Sequence, residues 1–126
     1  MFMKNIEIYE IATQLTNAFK EDDLHLPMKL NFYLQKNKKA LIELSKEIEE
    51  SRIKIAAKYG VLNEEGTLYN IPEENLAQAS QELDDLFHLE QDVHIYTIRA
   101  NQISDDIKLS TSQMEAMLFM IEEDQE

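Results

Sequence analysis

PMKLNFYLQKNKKALIELSKEIEESRIKIAAKYG, residues 27–60, decides how this chain folds. Leu34, Leu41, Ile48 and Ile55 recur every seven residues, and Leu44 falls on the same side. That spacing predicts one long helix with a single apolar stripe. Pro27 suits a first helical turn, while Lys58 near the end and Gly60 just past it are stop signals. At 1.5 Å per residue such a helix is a rod of about 50 Å. The intervening positions of the repeat hold Asn37 and Ser51. Polar residues there break the seam for a free-standing coiled coil, so the helix is expected to pack on neighbours in its own domain.

Upstream, Ile8, Ile11, Ala12, Leu15 and Phe19 follow helical spacing from about Ile6 to Lys20, although Phe2, Ile6 and Ile8 also fit a short strand. Asp22-Asp23 and Pro27 end that segment. Downstream, Asn63-Glu64-Glu65-Gly66 reads as a turn and Thr67–Ile71 as a short strand. A helix opens at Pro72 with Glu73 and Glu74 at the positive end of its dipole, and Leu76, Ala79, Leu83, Leu86 and Phe87 form its apolar stripe. The β-branched content of Asp92–Ile103 predicts a strand. Ser112 and Glu115 read as a capping box opening a terminal helix. The fold expected is α+β and mostly helical: an antiparallel pair of a long and a medium helix, a small β element at one end, and a C-terminal helix. One domain spans 1–126, with 121–126 a frayed acidic tail.

Composition narrows the functions. The 126 residues include two glycines, two prolines and no cysteine. Disulfide scaffolds, thiolate metal sites and a cysteine nucleophile are excluded. The start of the chain has no long apolar run, and Glu7 comes early, which argues against a signal peptide or membrane span. Charge is divided unevenly. Residues 1–60 carry ten Lys/Arg and nine Asp/Glu, whereas residues 61–126 carry two and sixteen, for a total of −13. Such a field opposes direct binding to phosphate backbones.

No P-loop, dinucleotide fingerprint or nucleophile elbow is present, and the hydroxyls of Ser110-Thr111-Ser112 have no catalytic setting. No cofactor is expected. The nearest approach to a metal site is His88, Glu90, Asp92 and His94, which share a face only if the segment is extended. A metal-dependent enzyme would rest on those four residues alone. The acidic pairs Asp84-Asp85 and Asp105-Asp106, like Asp22-Asp23, read as solvated surface, since adjacent acids on a helix do not face each other. The basic run Lys36-Asn37-Lys38-Lys39, with Tyr33 nearby, reads as a partner for the acidic half of the same chain. The terminal stretch is the candidate partner-binding segment: Met114, Met117, Leu118, Phe119, Met120 and Ile121, followed by Glu122, Glu123 and Asp124. A helix apolar on more than one face is either core or completed by a partner, and methionine adapts to binding surfaces.

Leu26-Pro27-Met28-Lys29-Leu30-Asn31-Phe32 before a long charged helix, Lys58-Tyr59-Gly60 at its end, Glu90–Ile98 around Asp92-Val93-His94-Ile95, and the close from Leu109-Ser110 to Glu122-Glu123 together resemble a family of small, poorly characterised proteins of tailed bacteriophages and prophages of Gram-positive bacteria. These pieces span about three-quarters of the chain, and the stretch between Val61 and Leu76 is shorter than that family's. The resemblance implies phage origin and a non-enzymatic role, with no functional residues to carry over. The function expected is protein–protein binding in virion assembly or as a virion-associated accessory. The partner would be a second copy, giving a homo-oligomer, or a phage or host protein, with no direct contact to nucleic acid or membrane. The place of action would be the host cytoplasm or the virion. The alternative is an acidic mimic of nucleic acid that inhibits a host DNA- or RNA-binding defence protein.

Overall fold

The computed structural model describes residues 1–20 and 26–123. Asp22-Asp23, Asp124 and Glu126 therefore lie outside the described residues. The elements are β1 (Phe2–Lys4), α1 (Asn5–Ala18), α2 (Met28–Tyr59), β2 (Val61–Leu62), β3 (Tyr69–Asn70), α3 (Glu73–His88), β4 (Glu90–Asp92), β5 (Ile98–Arg99), α4 (Thr111–Met117) and β6 (Ile121–Glu122). Short 3₁₀ turns occupy Ala100–Gln102 and Leu118–Met120. The mostly helical α+β architecture is the one expected from sequence.

The 32 residues of α2 make a spine of about 48 Å. Its buried positions are Leu30, Leu34, Asn37, Leu41 and Ile48, which follow the heptad spacing. Both neighbouring helices run against it. The Phe19 carbonyl, just past α1, accepts from Lys38 Nζ at 3.2 Å, while Tyr9 lies near Arg52. In α3, Asn75 Nδ2 donates to the Tyr59 carbonyl at 3.0 Å. Thus α1 covers the middle of the spine, from about Lys38 to Arg52, and α3 its C-terminal end.

The two covering helices meet end to end at Asn5. Its backbone N–H donates to the Leu89 carbonyl at 2.9 Å, and its Nδ2 donates to the Leu86 carbonyl at 2.8 Å. Asn5, in the first turn of α1, thereby ties down two carbonyls at the end of α3, one through its side chain and one through its backbone. Gln91 Nε2 completes it with a bond to Asn5 Oδ1 at 2.7 Å. The negative end of one helix dipole thus faces the positive end of the other. Strand β1 pairs antiparallel with β4 beside this junction, in register Met3↔Gln91. The start of the chain is therefore a strand followed by a helix, which resolves the two readings open from sequence.

Between α2 and α3 the turn at Asn63–Gly66 forms as expected. Gly66 takes a φ of 72°, which a residue with a Cβ rarely adopts. Asn63 Oδ1 accepts from the Thr67 N–H at 2.9 Å. The strand expected over Thr67–Ile71 is shorter, Tyr69–Asn70, and it pairs with Val61–Leu62, where no strand was expected. Gly60 is needed for proximity: a Cβ there would stand 2.8 Å from the Ala56 carbonyl oxygen.

Across this end of the spine Lys58 Nζ meets Glu82 Oε1 at 2.9 Å. The bond lowers the Glu82 pKa and raises that of Lys58. Its contribution is fully present between the ordinary values of 4.5 and 10.5. It is lost in acid as pH falls through the depressed Glu82 value, and in base as pH rises through the raised Lys58 value. Glu82→Gln should therefore melt slightly below wild type at pH 7, and the gap should close on acid titration. A gap that does not narrow on acid titration would contradict this origin.

The C-terminal region departs most from the sequence reading. The terminal helix is seven residues long and gives way to a 3₁₀ turn. The cap is Ser110 with Gln113, not Ser112 with Glu115. Ser110 Oγ accepts from the Gln113 N–H at 3.1 Å, and Gln113 Oε1 accepts from the Ser110 N–H at 2.9 Å. The expected frayed tail is, at Ile121–Glu122, a strand that pairs parallel with Ile98–Arg99. The long strand expected over Asp92–Ile103 is two short strands, β4 and β5, separated by residues 93–97. Among the described residues the β element is thus three separate pairs rather than one group at one end.

Asn37 explains the irregular middle of that segment. It is fully buried, and it binds the backbone of Tyr96 twice: Asn37 Nδ2 donates to the Tyr96 carbonyl at 2.8 Å, and the Tyr96 N–H donates to Asn37 Oδ1 at 2.9 Å. A side-chain amide thereby stands in for a neighbouring strand. The residue that broke the apolar seam is the one that pins the chain crossing it.

Candidate functional site

Residues 98–122 form a parallel crossover. Parallel strands need a connection of a dozen or more residues, and 100–120 provide it. The register is Ile98↔Ile121 and Arg99↔Glu122. Thr97 Oγ1 adds a bond to Glu122 Oε1 at 2.9 Å. On the inner side α4 rests on α1, with Gln113 Nε2 donating to the Ala18 carbonyl at 3.2 Å.

This docking divides the Met-rich stretch in two. Met117 and Met120 are fully buried in the main core, together with Ala116. Half-buried Phe119 packs against the same core. Met117 and Met120 are thereby closed to a partner. Met114 and Leu118 face out, 40% and 60% exposed. With Ile121 they form one wall of an open groove of about 360 Å³, and Ile103, Ile107 and Leu109 form the other. Asp105 lies on its rim. Neighbouring Asp106, Glu122 and Glu123 are exposed. The arrangement suits an apolar segment carrying positive charge.

Sequence reasoning missed Ile103, Ile107 and Leu109. Their spacing matches neither a helix nor a strand, and the signal available was three apolar residues in a stretch otherwise full of turn formers. At the start of α2, where it marked the basic run 36–39 and Tyr33, sequence reasoning missed the partners Lys29, Phe32 and Tyr96 that complete a second surface. There Phe32, Tyr33 and Tyr96 contact one another, with Tyr33 and Tyr96 centroids 5.3 Å apart. Lys36 Nζ stands 5.5 Å from the Phe32 ring centre and Lys29 Nζ 5.6 Å from that of Tyr33. Lys36 and Lys38 thus engage an aromatic ring and the Phe19 carbonyl. The charge pairing expected between this basic run and the acidic half appears instead at Lys58–Glu82.

The other acidic and metal-like residues are dispersed. Asp84 and Asp85 are exposed on α3, where Gln81 Nε2 donates to Asp85 Oδ1 at 2.9 Å. His88 ends that helix, its Nδ1 2.8 Å from the Asp84 carbonyl. Glu90 and Asp92 lie in β4, and Asp92 Oδ1 is 3.0 Å from the Met1 amine. His94 sits edge-on to Tyr96, with ring centres 4.7 Å apart. Four residues that needed one extended strand are thus divided among a helix end, a strand and a loop. Among the described residues no group of three or more His, Cys, Asp or Glu side chains is arranged to hold a metal ion. No helix among them is long and apolar enough to cross a membrane. No family model matches this chain, and no curated protein or solved structure matches it either.

Proposed function

We propose that this is a non-enzymatic bacteriophage protein that works by binding another protein through the groove of the terminal crossover, in virion assembly or as a virion-associated accessory. It would act in the host cytoplasm or on the particle. One observation carries the reading: within a single short stretch Met117 and Met120 are sealed in the core while Met114 and Leu118 are presented to solvent beside acids. Core packing accounts for the first pair and leaves the second unexplained. An exposed apolar groove with a charged rim has the anatomy of a binding site. The phage assignment comes from the resemblance in sequence.

Nucleic-acid mimicry would require a continuous row of carboxylates. The acids of the C-terminal half are spread over the β2–β3 hairpin, α3, β4 and the terminal crossover, so no observation favours that reading.

The test is affinity capture from phage-infected cells with wild type and Leu118→Asp side by side. Leu118 is exposed, so the variant should keep its melting temperature and lose the captured protein. Identical capture by both, or none by either, would overturn the proposal.

A further inference from the structure

The two ends of the spine are chemically opposite. Residues 27–42 contain four lysines, at 29, 36, 38 and 39, and no acid. Residues 61–76 contain four glutamates, at 64, 65, 73 and 74, and no Lys or Arg. The basic end exposes Met28 (88%) and Phe32. The acidic end exposes Val61 (67%), Leu68 (66%), Leu62 and Leu76 around the β2–β3 hairpin. All four glutamates are exposed. The nearest cation in sequence, Lys58, is already bound to Glu82. About 26 residues of α2, at 1.5 Å each, hold the two surfaces about 40 Å apart.

We propose that copies of this chain associate head to tail, the acid-rimmed hairpin tip of one docking on the lysine-bearing aromatic platform of the next. Each surface has an apolar centre and a charged rim, the usual division of an interface. Opposite rims attract and set the orientation, while two tips or two platforms repel. At physiological salt the Debye length is about 8 Å, so the net charge of −13 is largely screened between bodies whose contact lies at their ends. The platform is rigid before contact, because the two Asn37 bonds fix Tyr96 against Tyr33. The contact joins unlike surfaces, so repetition yields a ring or an open chain. It uses none of the groove's lining residues and goes beyond the function proposed above, so either reading can fail alone.

Sedimentation equilibrium over a concentration series tests it with three proteins: wild type, the platform variant K29E/K36E, and the tip variant V61D/L68D. Wild type should show a mass above 14.8 kDa that rises with concentration. Each variant alone should remain at 14.8 kDa, association being weakened at least ~tenfold by loss of one partner surface. An equimolar mixture should form dimers and nothing larger, because each pair retains one intact tip and one intact platform. Glu21, Asp22 and Asp23 are unchanged throughout, so they cannot create the difference. If V61D/L68D lowers the melting temperature, V61S/L68S replaces it. A monomeric wild type at its highest soluble concentration, a mixture that stays monomeric, or a variant that associates like wild type would each overturn the proposal. None of these outcomes bears on capture through Leu118.

Discussion

Asn37→Ala should cost about 3 kcal/mol of stability, lowering the melting temperature by roughly 10 °C. The substitution removes both bonds to Tyr96, at 2.8 and 2.9 Å. Each net bond is worth roughly 0.5–1.5 kcal/mol. The larger cost falls on Tyr96, whose N–H and carbonyl lose their partners in a partly buried setting. Asn37→Leu separates the two contributions. It fills the volume with an apolar side chain at a heptad position, so it should look favourable from sequence. It should nevertheless destabilise by about 2 kcal/mol, because the Tyr96 backbone remains unpaired. Chemical denaturation measures the cost, and hydrogen exchange at the Tyr96 amide locates it. An Asn37→Leu protein as stable as wild type would show that the position is an ordinary core site.

Met117→Ala and Leu118→Ala should differ sharply although the residues are adjacent. Met117 is fully buried, and truncating a buried methionine costs roughly 2–5 kcal/mol through lost transfer energy and the cavity left behind. Leu118 is 60% exposed, and its truncation should stay within about 0.5 kcal/mol. Denaturant midpoints of the two variants compare them directly. Equal losses would mean that the chain continues as one buried helix through this stretch, and the groove would not exist.

The contrast shows why the terminal stretch misleads when read alone. Met114 to Ile121 has apolar residues at every offset, so a continuous helix accounts for its composition. The helix stops at Met117 because Ile121 and Glu122 pair with Ile98 and Arg99. Parallel pairing across some twenty residues leaves no local trace, since the partner lies far away in the chain. The cap moves for a related reason. Ser110 and Ser112 both precede apolar residues, and only the docking of α4 on α1, with Gln113 reaching Ala18, selects the first. The groove needs both events, so half of its lining was invisible from sequence. The metal-like set fails similarly: α3 runs through to His88, which removes the extended backbone those residues required.

What the sequence determined alone is the spine and its polarity. Seven-residue spacing, Pro27 and Gly60 specify α2, and the segregation of lysines and glutamates at its two ends is written in composition. These are local properties, set by side-chain periodicity and backbone chemistry within a few turns. Tertiary structure decided which polar residue belongs inside. Asn37 at a core position is a flaw until Tyr96, 59 residues away, arrives to use both of its hydrogen-bonding groups. Burying an amide is costly when it is unpaired and tolerable when it is satisfied. The sign of that term depends on a partner supplied only by the fold.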